Sequence, residues 1–328
     1  MLNKSSLVLK RGRYPTITST DGKVFSRFNW TYRQDDLDLI RYIEQLAGKF
    51  EAADLFYGHG TDNAFDEAIY LVYGVLDIDY AEDPETVNRN LSSIEIDSLE
   101  TKAKLRIEQR TPVAYLLNQA WFAGYKFYSD ERALIPRSPI AELILNKFQP
   151  LLDYEPGRIL DLCCGGGCIG IACAKQFVMA KVEIVDIDDS ALALARENIE
   201  LHACHSNVSA IKSDLFENLF GSYDLIVCNP PYVSKEEFEG LPQEFKAEPS
   251  LGLLSEEEGL EIPSKVLRQA GQFLTADGLL IMEVGLSADL LVERYRRVPF
   301  LWLEFAEGGQ GVLALNKKHL ERYSGEFN

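Results

Sequence analysis

The sequence predicts an α/β protein: an open, mostly parallel sheet with an antiparallel edge strand, preceded by a small helical domain. From Arg158 onward, short apolar runs suited to strands alternate with helical ones, the pattern of a parallel sheet covered on both faces. The glycine-rich stretch Gly165-Gly166-Gly167, with Gly170 after it, falls between the first such strand and the first helix. Before Arg110 the apolar residues recur at helical intervals instead.

Composition bounds the rest. With 328 residues at 46% hydrophobic content, the chain can bury a full core and is long enough for two domains. The formal net charge is −18. Residues 1–33 carry Lys4, Lys10, Arg11, Arg13, Lys23, Arg27 and Arg33 against Asp21 alone, a local +6, so the remainder sums to −24. Such a surface opposes an electrostatic grip on nucleic-acid backbones and favours a basic or neutral partner. The basic leader 1–33 lacks a secretory hydrophobic core and reads as an upstream start, a flexible arm or a targeting segment. No uninterrupted apolar stretch reaches the ~20 residues needed to cross a bilayer, so no membrane partner is expected. Cys163, Cys164, Cys168, Cys173, Cys204 and Cys228 lack the spacing of a disulfide framework, which fits a reducing cytoplasm. With no C-x-x-C pair among them, they read as small buried thiols rather than as zinc ligands.

In chain order, residues 34–110 form the helical domain. Leu37, Leu39, Ile40, Ile43 and Leu46, then Ala64, Ala68, Ile69, Leu71, Val72 and Val75, mark two helices, separated by the turn-rich Tyr57-Gly58-His59-Gly60-Thr61-Asp62-Asn63. Asp83-Pro84 breaks the chain again, and a charged helix runs from about Ser98 to Arg110. His59 reads as a local hydrogen-bonding residue. Residues 111–137 form a hairpin linker, with Trp121 to Tyr128 alternating around a glycine turn. Ser138 then caps a helix whose first residue is Pro139. Arg137 lies just outside that start, placed for a salt bridge or for the cofactor cleft. Strands and helices follow at Arg158–Leu162, Ile169–Phe177, Val182–Ile187, Ala191–His202, Val208–Ile211, Leu225–Cys228, Val266–Leu274 and Leu279–Val284. Two short runs, 300–305 and 311–315, form an antiparallel pair at the sheet edge. This domain spans 138–320, with 321–328 as a tail.

The chemistry-bearing residues fall at strand ends. Gly165, Gly167 and Gly170 spell G-x-G-x-x-G, and Asp186 closes the second strand near the ~20-residue spacing of an acid that binds ribose hydroxyls. Together they indicate an adenosine-containing cofactor; Asp188 or Asp189 suits a helix cap better. Asp214, after the third strand, can reach an adenine amino group or close a turn. After the fourth strand comes Asn229-Pro230-Pro231-Tyr232. Prolines supply no N–H, so their carbonyls need not join a sheet ladder. The Asn229 side-chain oxygen and the Pro230 carbonyl can each accept one hydrogen of a planar –NH2 group, while Tyr232 packs on its plane. A nicotinamide or flavin enzyme has no use for such a clamp; an amino-methyltransferase must have one.

On these motifs the chain resembles the class I S-adenosylmethionine-dependent methyltransferases, with their Rossmann-like sheet, and within them the protein-(glutamine) methyltransferases of the HemK/Prm group. Tyr57 to Asn63, Arg110-Thr-Pro-Val-Ala-Tyr115, Trp121-Phe122, Asp130-Glu131-Arg132 and Ile135-Pro-Arg-Ser-Pro139 resemble the PrmB type, which modifies a glutamine of large-subunit ribosomal protein three. The similarity spans roughly 35–320. It implies that Asp161, Gly165, Gly167, Asp186, Asp214 and Asn229 surround S-adenosylmethionine, that Asn229, Pro230 and Tyr232 place the glutamine amide, and that 34–110 recognises a basic ribosomal protein. Cys163-Cys164-Gly165-Gly166 departs from the group, which carries a Thr and a Ser nearby. A release factor, or an exocyclic base amine of DNA or RNA, stays open as the acceptor.

Overall fold

The computed structural model describes residues 37–306 and 308–327; the expectations for the leader 1–33 lie outside them. Four helices come first: α1 (Leu39–Ala52), α2 (Ala64–Leu76), α3 (Ser93–Gln109) and the short α4 (Val113–Leu117). Asp38 and Asn63 cap α1 and α2, each side chain accepting a backbone N–H three residues on. Helix α3 starts five residues earlier than the apolar spacing suggests, because Ser92 and Glu95 form a reciprocal capping box. Leu39, Ile43 and Phe50 of α1, Leu71 and Val72 of α2, and Val113 and Ala114 of α4 share one core, all at most 1% exposed.

A hairpin follows, β1 (Gln119–Phe122) and β2 (Tyr125–Tyr128), with Phe122 opposite Tyr125. Its two turn residues, Ala123 and Gly124, both have positive φ, as a tight hairpin of this twist requires. Ala120 packs in the helical core while Phe122 and Phe127 pack under the large sheet, so the segment joins two cores. Helix α5 (Ile140–Leu145) begins one residue later than expected: Pro139 occupies the cap position, and the Ser138 hydroxyl accepts the Ile140 N–H.

The remaining elements are β3 (Arg158–Leu162), α6 (Cys168–Gln176), β4 (Lys181–Asp186), α7 (Asp189–Leu201), β5 (Val208–Lys212), β6 (Tyr223–Cys228), α8 (Lys235–Gly240), α9 (Glu261–Phe273), β7 (Leu274–Glu283), α10 (Ala288–Arg294), β8 (Leu301–Trp302), β9 (Val312–Asn316) and α11 (Lys317–Arg322). The seven-stranded sheet has the order β5-β4-β3-β6-β7-β9-β8. Strands β3 to β7 are parallel, and β9 and β8 are antiparallel at the edge as expected. Side chains alternate between faces: Ile159, Ile184, Val227 and Ile281 face α6 and α7, whereas Leu160, Leu162, Ile226 and Met282 face α9 and α11. The order reverses at β3, which sits between β4 and β6, and ligands of open α/β sheets bind above such a switch point.

Within 321–328, expected as a tail, the described residues pack on the sheet domain. Helix α11 runs through Arg322, a single 3₁₀ turn follows, and Phe327 is 1% exposed against the Tyr295 ring, with its carbonyl accepting from Arg268. A short polar segment whose aromatics are Tyr323 and Phe327 gives no periodicity from which that docking could be read.

Candidate functional site

A cavity of about 400 Å³ opens at the carboxyl ends of β3, β4 and β6, within the ~300–1,000 Å³ range of small-molecule sites. One wall is the turn after β3, with Cys163, Gly165 and Gly166; the second is Asp186 to Asp188; the third holds Ser213 and Asp214; the fourth is Asn229 to Val233 with Glu283. Of the residues singled out from the sequence, Gly165, Asp186, Asp214, Asn229, Pro230 and Tyr232 border this cavity. Asp161 and Gly167 stand behind its wall, and a packing reason places them there. A Cβ on Gly167 would fall 2.9 Å from Ile184, and one on Gly170 only 2.3 Å from Ile184. These two glycines let α6 press onto β4. Asp161 anchors the same helix: its Oδ2 accepts the Gly170 N–H at 2.7 Å. Its Oδ1 is buried without a partner among the described residues, and burial, reinforced by the charge of Asp186, pushes the carboxyl up to about 7.

Asp186 uses its carboxylate on both sides of the switch point. Oδ2 accepts the Gly165 N–H at 2.8 Å and Oδ1 accepts the Asp188 N–H at 3.0 Å. Each oxygen keeps a second lone pair, so Asp186 shapes the glycine turn and remains an acceptor toward the cavity. Burial raises its pKa and those backbone donors oppose the rise. The cap of α7 belongs to Asp188, which accepts from Ser190. Asp214 is exposed at the rim and makes no side-chain hydrogen bond among the described residues.

The Asn229–Tyr232 corner leaves β6 directly. Among the described residues neither the Asn229 side-chain amide nor the Pro230 carbonyl has a hydrogen-bond partner. Tyr232 is held firmly by contrast. Its hydroxyl donates to Glu283 Oε1 at 2.9 Å, its carbonyl accepts from the Ser287 hydroxyl at 2.8 Å, and its ring lies so close to Gly285 that a Cβ there would be 2.5 Å away. Val233 then pairs with Leu254 by a bridge, closing the base of a long loop that returns over the cavity.

Three buried glutamates, one lining the cavity and two behind it, escape a sequence reading. Glu283, at the end of β7, is 7% exposed and accepts from both Ser138 and Tyr232. Glu244 and Glu248 lie in the loop after the corner, in a stretch rich in acidic residues, and both are buried. Glu244 accepts from Arg106 of α3 and from the Phe56 N–H, while Glu248 receives Arg137 at two points and the Ile135 N–H. His59 Nε2 lies 3.5 Å from Glu248, with its ring 4.6 Å from that of Phe245; burial lowers its pKa. Arg137 thus plays both roles open to it: it pairs with Glu248 and borders the cavity.

S-adenosylmethionine, implied by the motifs, fits these residues. The Asp186 and Asp214 carboxylates at two strand ends could accept from ribose and adenine, and the turn at Gly165 presents backbone to the cavity.

Residues 140–248 match the methyltransferase small domain family. A ribosomal protein uL3 glutamine methyltransferase of Francisella tularensis subsp. tularensis is 42% identical over 297 residues, covering 89% of this chain and 95% of that protein. Another of the same name, from Xanthomonas campestris pv. campestris, is 47% identical over 291 residues, covering 88% and 93%. Similarity of this depth runs through the helical domain as well as the sheet, and the chain therefore belongs to the family of ribosomal protein uL3 glutamine methyltransferases.

Proposed function

We propose that this protein transfers a methyl group from S-adenosylmethionine to the side-chain amide nitrogen of a glutamine in ribosomal protein uL3. The observation that carries the reading is the corner at β6, where two acceptors, Asn229 Oδ1 and the Pro230 carbonyl, border the cavity without a partner among the described residues. The names of both relatives point to the same acceptor.

When bound, S-adenosylmethionine supplies an electrophilic methyl group on a sulfonium. Asp186 would accept from the ribose hydroxyls and Asp214 from the adenine amino group, with Gly165 lying along the cofactor. An amide nitrogen is a poor nucleophile because its lone pair is delocalised into the carbonyl. Asn229 Oδ1 and the Pro230 carbonyl, each accepting one amide hydrogen, orient the nitrogen and stabilise the positive charge that grows on it during transfer. Tyr232 gives the amide plane a face to lie on. The methylated nitrogen is acidic and releases its proton to solvent, so no general base is required.

The charge of −24 beyond the leader supports a basic protein as partner, met free in the cytoplasm rather than as part of a phosphate-covered particle. The test is labelled S-adenosylmethionine offered with isolated uL3, release factors or DNA. Label on a uL3 glutamine supports the reading; label on a release factor or on adenine alone contradicts it.

A further inference from the structure

The buried carboxylate of Glu283 has no part in the mechanism as stated, and core packing does not account for it. It ends a central strand, is 7% exposed and forms no ion pair among the described residues. A charge in such a place is costly unless donors satisfy it, and an apolar residue would fill a strand end more cheaply. The donors it has are telling. Ser138 Oγ lies 2.5 Å from Oε2 and Tyr232 Oη lies 2.9 Å from Oε1. One belongs to the segment that opens α5 and the other to the corner at β6, so three separate elements meet at one side chain.

We propose that Glu283 is the positioning residue of the amide clamp, fixing the Tyr232 ring against which the acceptor amide lies. This rests on the reading of Asn229–Tyr232 as that clamp. Burial raises the Glu283 carboxyl, and the Ser138 and Tyr232 hydroxyls oppose that rise; as a carboxylate it only accepts, so both hydroxyls donate to it. The Ser138 oxygen is thereby left free to accept the Ile140 N–H, which it does at 3.2 Å. The Tyr232 hydrogen is committed to Glu283 and turned away from the substrate. With the Gly285 backbone against the ring and Ser287 on the Tyr232 carbonyl, the side chain is held at its tip, its flank and its root. A glutamine at 283 keeps the shape but replaces a charged acceptor by a neutral amide whose –NH2 faces one hydroxyl, so that bond must reverse and the charge-assisted hold on Tyr232 weakens.

The test compares Glu283→Gln, Glu283→Asp, Tyr232→Phe and the Glu283→Gln/Tyr232→Phe pair with the wild type, reading steady-state methylation of isolated uL3, cofactor affinity by calorimetry and melting temperature. Glu283→Gln is expected to lower kcat by roughly tenfold or more, the loss typical of a charge-assisted hydrogen bond, with cofactor affinity within about twofold. Adding it to Tyr232→Phe should cost nothing further, since Glu283 acts through that hydroxyl. Unchanged kcat in Glu283→Gln, or losses that multiply in the double variant, would overturn the proposal. Should the Gln variant fold poorly, Glu283→Asp carries the same comparison. NMR of labelled tyrosine, assigned with Tyr232→Phe, reads the ring without any substrate. A shifted, broadened Tyr232 signal in Glu283→Gln or Glu283→Asp is expected, and an unaltered one contradicts the positioning role. Absence of uL3 methylation by the wild type would sink the proposed function alone, leaving the ring measurement to judge Glu283.

Discussion

Arg137 and Glu248 form a two-point ion pair, Nη1 to Oε1 at 2.5 Å and Nη2 to Oε2 at 2.7 Å, that bolts the loop after the Asn229–Tyr232 corner to the segment before α5. Fork-to-fork geometry of this kind is directional as well as attractive. The Glu248 side chain is fully buried whereas Arg137 is 26% exposed, so removing either partner exposes a different cost. Glu248→Ala should destabilise the protein by about 2–3 kcal/mol, somewhat below a fully buried broken pair because water can reach Arg137. Urea unfolding of the variant checks this.

The same pair predicts an acid limb. Although burial alone would raise it, the Arg137 charge, with His59 beside it, holds the Glu248 carboxyl down at about 2, below the ordinary 4.5. A depressed carboxylate contributes stability that is complete above the unfolded-state value and is lost as pH falls through the folded one. The stability gap between wild type and Glu248→Gln should therefore be constant above about pH 4.5 and shrink between there and pH 2. Melting temperatures across that range would show it, and a gap that persists at the acid end would contradict it.

Asp161 has the opposite sign. Its carboxyl is pushed up from 3.8 to about 7, so the folded state holds a proton that the unfolded chain releases, and stability falls as pH rises through that interval. Asp161→Asn should raise the melting temperature of the ligand-free protein at pH 8 and leave it little changed at pH 4. The amide oxygen can still accept the Gly170 N–H.

Asp186→Ala should weaken S-adenosylmethionine binding by about 1.5–3 kcal/mol, the worth of hydrogen bonds to a charged group. Calorimetry decides it, and unchanged affinity would leave Asp186 only the task of holding the Gly165 turn.

Much of this site was legible beforehand because it is local. Asn229 to Tyr232, the glycine turn and Asp186 each sit at a strand end, and period and punctuation alone place a strand end above the sheet. Asp161 and Gly167 share that address yet serve the packing of α6 on β4, a distinction of side-chain direction that spacing does not encode. Glu283 was illegible for another reason: its partners Tyr232 and Ser138 lie 51 and 145 residues away, so only the folded sheet joins them. Glu244 and Glu248 hid among acidic neighbours whose ordinary role is a solvated face. Their burial follows from Arg106 and Arg137, supplied by segments far along the chain.

The clamp itself is tested most directly by mass spectrometry of isolated uL3 after incubation with S-adenosylmethionine and either wild-type protein or Asn229→Ala, alongside calorimetry of the cofactor. On the proposed reading, loss of Asn229 removes an acceptor that acts on the reacting amide, so cofactor affinity should stay near normal while transfer collapses. The predicted result is one methyl group on a single uL3 glutamine with wild type and none with the variant. Near-normal methylation by Asn229→Ala, or methyl groups on residues other than glutamine, would contradict the account.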